Sequence, residues 1–99
     1  MSFVVTQPES LAAAAGDLHA VGSAMATANA LAATPTTGVV PAAADEVSAL
    51  IAAQFAMHAQ MYQGVGAQAE AVHEVFTTTL AMSAGSYAAT EAANVIAAG

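Results

Sequence analysis

"TPTTGVVP", residues 34–41, gathers two prolines, a glycine and three threonines between two alanine-rich stretches. Proline and glycine punctuate helices, and the residue before a proline is pushed toward extended backbone, so the segment reads as a connection. Pro41 is suited to open a second helix, with Asp45 and Glu46 near its positive end. On the other side, strong helix formers run from "TQPES", residues 6–10, to about Ala33. Thr6 and Glu9 are spaced as in a capping box, while Pro8 fits the first turn; these registers compete, so the cap is Thr6 or Gln7. Phe3, Val4 and Val5 stand where a hydrophobic staple would. Leu11, Leu18, Val21 and Met25 fall on one stripe of this first helix. No firm stop follows Pro41 until residues 83–85. The expected order within a single domain is therefore an N-terminal segment 1–7, helix 8–33, connection 34–41, helix 42–83 and a frayed tail 84–99. The fold class is all-α, an antiparallel two-helix hairpin.

The second helix indicates that the hairpin is incomplete. At 100° per residue, Val47, Leu50, Ile51, Phe55, Met57, Met61, Tyr62, Val65, Val72, Val75, Phe76, Leu80 and Met82 occupy about half its circumference. Asp45, Gln60, Gln63, Glu70, Glu74, Thr77 and Thr78 mostly fill the other half. One antiparallel neighbour needs an apolar stripe of only about 100°. Length argues the same way. A tight closure sets Ala33 beside Ala42 and Pro8 beside Ala67, which leaves 68–83 projecting past the first helix. Val72, Val75, Phe76, Leu80 and Met82 would then have no partner in their own chain. The sequence looks like half of a helical bundle.

Composition excludes several function classes. The chain has 99 residues, thirty of them alanine, with no Lys or Arg and seven acids, so its net charge is −7. Such a balance argues against binding phosphates of nucleic acid or anionic lipid. Without cysteine there are no disulfides, thiolate nucleophiles or Cys-ligated metals. "MSFVVTQPES" lacks the basic and apolar regions of a Sec signal peptide. Asp17 and His19 break one Ala-rich stretch, and Gln54, His58 and Gln60 the other, so no transmembrane span is expected.

The remaining constellations carry little chemistry. Glu70, His73 and Glu74 contain the Glu-x-x-His of di-iron bundles, but such sites need matching ligands from facing helices. The first helix offers only Glu9 and Asp17, and the three residues read as a solvated face. His19, His58 and His73 lack the i, i+4 pairing of a zinc helix. His58 lies within the apolar arc, as do Gln54, Gln68 and Thr79; a hydrogen-bonded His contacting a partner is the favoured reading. Gly64, Gly66 and Ala69 superficially fit a dinucleotide fingerprint, yet sit inside a helical pattern, so close helix approach is the better use. Gly22 fits the same use, and Gly16 is merely tolerated at about 1 kcal/mol. Met25, Met57, Met61 and Met82 are core filler, or let one surface adapt to related partners. No catalytic arrangement and no cofactor site is expected. In "GSYAATEAAN", residues 85–94, Tyr87 and Glu91 are four apart and share a face if the tail is helical. A receptor would take the phenol in a pocket and pair the carboxylate with a cation. The plainer reading is a frayed end whose Tyr packs back and whose Glu solubilises it.

"MSFVVTQPE" with an Ala-rich helix, "TPTTGVVPAAADEVSALIAAQFAMHAQMYQ" and "SYAATEAAN" together resemble the PE domain of mycobacteria over essentially the whole chain. Pro8 and Glu9 match the pair that gives the family its name. The resemblance implies a hairpin that completes a four-helix bundle with a PPE-family protein as an obligate heterodimer. It implies export through a type VII secretion system to the cell envelope or outside, after a cytosolic stage with a chaperone that contacts the PPE subunit. It also implies that Tyr87 and Glu91 match the family's export signal. The expected partner interface is then Leu11, Leu18, Val21 and Met25 of the first helix with His58 and the apolar arc of the second from Val47 to Leu80. The expected function is a non-enzymatic secretion module, one that delivers its partner or a following domain. The alternative is an amphipathic hairpin that buries the same face in a lipid-rich envelope or in a second copy of itself.

Overall fold

The computed structural model describes residues 6–99, so the staple expected at residues 3–5 lies outside the described residues. Two helices account for nearly all of it, α1 (Pro8–Thr37) and α2 (Glu46–Ala98), and no strand occurs among the described residues. The fold is all-α, as expected. The chain divides into two compact units, Ser23–Val72 and the pair of segments Met1–Gly22 with His73–Gly99. The first unit holds the connection and the halves of both helices that flank it. In the second, the start of α1 lies antiparallel to the end of α2.

The start of α1 at Pro8 agrees with the sequence expectation, and the other three helix ends differ from it for local reasons. Gln7, not Thr6, caps α1: its carbonyl accepts from the Ser10 and Leu11 amides at 3.0 and 3.2 Å, and its side chain accepts from the Ser10 hydroxyl. Pro8 then occupies the first helical position, where its missing N–H costs nothing. At the other end α1 runs through Pro35 to Thr37 instead of stopping at Ala33. Pro35 withholds the amide that would bond the Leu31 carbonyl, so the helix gives up one bond near its end. Threonine hydroxyls add bonds to the turn around this proline, with Thr37 donating to the Ala33 carbonyl at 2.6 Å and Thr36 to that of Ala32. Pro41 does not open α2. Asp45 does so, its carboxylate accepting from the Ser48 hydroxyl at 2.6 Å and the Ser48 amide at 3.3 Å. The tail is helical to Ala98. Gly85 alone costs a helix about 1 kcal/mol, and the alanines after it are the strongest helix formers.

Inter-helix register differs most. In the unit Ser23–Val72, Asn29 lies against Gly66, where a Cβ would come within 3.2 Å of the Asn29 Nδ2. A tight closure would have set Asn29 about twenty residues earlier on α2. Eight residues beyond Asn29, at Thr37, α1 ends roughly 12 Å further on, near residue 58 of α2. The first three turns of α2 thus extend past α1, and residues 38–45 span that gap. Ala52 is only 6% exposed there.

The register overturns the length argument for residues 68–83. In the unit that contains them from His73 onward, the His73 Nε2 donates to the Leu18 carbonyl at 2.5 Å, and Thr77 and Ala84 are buried. The first helix does lie beside this stretch. It does not cover the large apolar side chains: Val72, Val75, Phe76 and Met82 remain exposed, and Leu80 alone is half-buried.

Candidate interaction face and tail motif

The sheltered positions define the seam between the helices. On α1 they are Pro8, Leu11, Ala15, Leu18, Gly22, Met25, Asn29 and Ala32, alternately three and four residues apart, with Ala33 and Thr37 at the end of the helix. On α2 they are Ala52, Ala56, Ala59, Gln63, Gly66, Glu70, His73, Thr77, Leu80 and Ala84, with the same alternation and Ser83 beside the last. A 3.5-residue repeat on both helices is the pattern of a coiled-coil seam. Its composition on α2 is unusual, because small and polar residues fill it and only Leu80 is a large aliphatic.

Polar groups in this seam find partners across it. In the unit Ser23–Val72, the Asn29 amide donates to Glu70 Oε1 at 2.7 Å, and its side-chain oxygen accepts from the Tyr62 hydroxyl at 2.9 Å. The Gln63 side chain donates to the Asn29 carbonyl at 3.1 Å. In the other unit the His73 ring lies on Gly22, where a Cβ would sit 2.7 Å from His73 Cδ2. Glycine at 22 therefore makes the room that the His73 bond to Leu18 requires. Glu70 and His73 are packing residues, correcting the solvated face expected for them. Close approach is borne out at Gly22 and Gly66, but nothing lies within 4 Å of a Cβ at Gly64. Thr77 breaks the pattern of satisfaction: it is 8% exposed and its hydroxyl has no hydrogen-bond partner. It lines an open groove with Ala12, Ala15, Gly16 and His19.

The large side chains of α2 lie on its other faces. In the unit Ser23–Val72, Ile51, Phe55, His58, Tyr62 and Val65 again follow the four–three alternation and are exposed, Phe55 by 60%. Val47, Leu50, Met57, Met61 and Val72 are exposed around them. In the other unit, Phe76 and Thr79 continue the alternation, with Phe76 57% exposed and Val75 and Met82 beside it. Among the sequence-predicted interface residues, Leu11, Leu18, Met25 and Leu80 are instead half-buried in the intrachain seam, and Val21 is exposed on its flank. Of the family pair, Pro8 is half-buried and Glu9 exposed.

Tyr87 and Glu91 are the next members of the seam series after Ala84. From Gly85 to Gly99 only Glu91 is sheltered. The Thr6 hydroxyl donates to its Oε1 at 2.8 Å, joining residues 85 apart in sequence. Tyr87 is 46% exposed and lies between two grooves, one lined by Thr6, Gln7, Ser10 and Leu11 and the other by Thr79, Met82, Ser83, Ser86 and Thr90. The frayed end is thus replaced by a docked one, and sequence reasoning missed Thr6 because it weighed that hydroxyl only as one of two candidate caps. No helix of the described residues is long and apolar enough to cross a membrane, and they hold no group of three or more potential metal ligands.

Comparison with known proteins assigns the family. The chain is 63% identical over 98 residues to the PE family protein PE13 of Mycobacterium tuberculosis, covering 99% of each. It is 62% identical over 94 residues to PE_PGRS33 of the same species, spanning 95% of this chain but 20% of that protein. It is 54% identical over 94 residues to PE8, of which it spans 34%. Thus it spans nearly all of one relative, about a third of another and a fifth of the third. Residues 4–94 match the sequence profile of the PE family. Matched by that profile over nearly its whole length, and 63% identical to a relative it covers to 99%, this chain belongs to the PE family.

Proposed function

We propose that the chain is one half of an obligate heterodimer with a PPE-family protein, exported through a type VII secretion system with Tyr87 and Glu91 as its signal. The observation that carries this reading is the exposed second stripe of α2, above all Ile51, Phe55, Tyr62, Val65 and Phe76. Within the unit Ser23–Val72 alone, Ile51, Phe55, Tyr62 and Val65 are at least half exposed, and monomeric soluble proteins rarely leave such an apolar patch in water. Two helices of a partner laid on that stripe would complete a four-helix bundle. The spacing of the stripe suits helices, since its 3.5-residue period is the one a neighbouring helix can follow.

His58 lies within the stripe, and in the complex its ring would require a polar partner. A cytosolic chaperone would hold the pair before export by contacting the PPE subunit, and the destination is the cell envelope or the exterior. The role is delivery, with no catalytic step assigned to any residue. Co-expression with a PPE protein in the native host tests the reading. A soluble 1:1 complex is expected, and Tyr87→Ala should leave that complex intact while abolishing its appearance outside the cell. A stable homodimer that ignores the PPE protein, or undiminished export of Tyr87→Ala, contradicts it.

A further inference from the structure

We propose that Thr6 is a positioning residue for the tail pair, so that the surface offered for recognition is assembled from both ends of the chain. The inference rests on the reading of Tyr87 and Glu91 as the export signal. Three observations support it. First, the Thr6 hydroxyl is free for this use, because Gln7 caps α1. Second, that hydroxyl donates to Glu91 Oε1 at 2.8 Å, and Glu91 is sheltered while its neighbours on either side are exposed. Third, the groove against one side of Tyr87 is lined by Thr6, Gln7, Ser10 and Leu11, residues of the first turn of α1 and its approach.

A free terminal helix would present Tyr87 and Glu91 with their face open all round. Here that face is the seam face, and the start of α1 forms its border. A receptor slot for the phenol must therefore also fit Gln7 and Ser10. The chain has no Lys or Arg to pair with Glu91, and a neutral donor, the Thr6 hydroxyl, holds its carboxylate. Because the contact joins residue 6 to residue 91, the pair takes this geometry only in a closed hairpin. The signal thereby reports folding: an unfolded chain carries the same two residues without their border.

The test compares Thr6→Val, Thr6→Ser and Tyr87→Ala chains, each co-expressed with the PPE partner in the native host. Export and intracellular complex are measured together. Thr6→Val removes the hydroxyl at nearly constant shape and should lower export about tenfold, the order a hydrogen bond to a charged group contributes. Its intracellular complex should remain at wild-type level, while amide exchange in residues 87–98 of the purified complex quickens. Thr6→Ser restores the donor and should restore export. Wild-type export of Thr6→Val alongside blocked Tyr87→Ala overturns the positioning role and leaves the tail signal standing. Thr6→Ser failing like Thr6→Val, or Thr6→Val losing the heterodimer, also overturns it. Normal export of Tyr87→Ala instead removes the signal reading on which it rests.

Discussion

Gly22 and Gly16 lie two turns apart at most on α1, yet the space around them is opposite. A methyl at 22 would meet the His73 ring at 2.7 Å, while a methyl at 16 meets nothing within 4 Å. Gly22→Ala should therefore push His73 off the Leu18 carbonyl and lower stability by about 1–3 kcal/mol, the usual cost of overpacking. Gly16→Ala should raise it by about 1 kcal/mol through helix propensity alone. Thermal melting of the two variants as complexes with the partner checks both signs. The Gly22 role follows from its place on the stripe of α1. That of Gly66 follows from its place in a helical run. His73 was hidden, because the sequence shows its acidic neighbours Glu70 and Glu74 but not the carbonyl it reaches across the seam.

The connection and the start of α2 depend on Asp45. Hydrogen bonds from the Ser48 hydroxyl, and then from the Ser48 amide, hold its carboxyl below the ordinary value of 3.8. A depressed folded-state value means that the cap contributes fully above the ordinary carboxylate range and is lost as pH falls through the lowered value. The difference in melting temperature between the wild type and Asp45→Ala should therefore be constant above about pH 5 and shrink below about pH 4. A difference that grows on acidification contradicts the assignment. Helix existence and the antiparallel arrangement were readable from the prolines and the alanine runs. Helix ends were not. Pro41 fits a first turn, but Asp45 offers a side-chain acceptor to Ser48 that Val40, just ahead of Pro41, lacks. Likewise the register hung on the path of residues 38–45, which composition does not fix.

For the molecule as a whole, the decisive point is which face of α2 is spent on its own chain. Hydrophobic patterning suggests that α1 docks on the large apolar arc, and that the excess spills over. Instead α1 docks on alanine, glycine and polar residues, and almost all of the arc is left free. Small side chains allow the helices close approach, and Asn29, Tyr62, Glu70 and His73 satisfy one another or the backbone across the seam. Burial by area alone would have chosen the other face. The proposal that the hairpin is half of something larger therefore rests on the width of the exposed surface and not on the argument from length. Hydroxyl-radical footprinting of the heterodimer, read at Phe55 and Phe76, tests this most directly. Both side chains should react severalfold more slowly in the complex than in the same chain denatured in urea, since a partner's helices cover them. Reaction as fast in the complex as in urea would mean that nothing lies on this face.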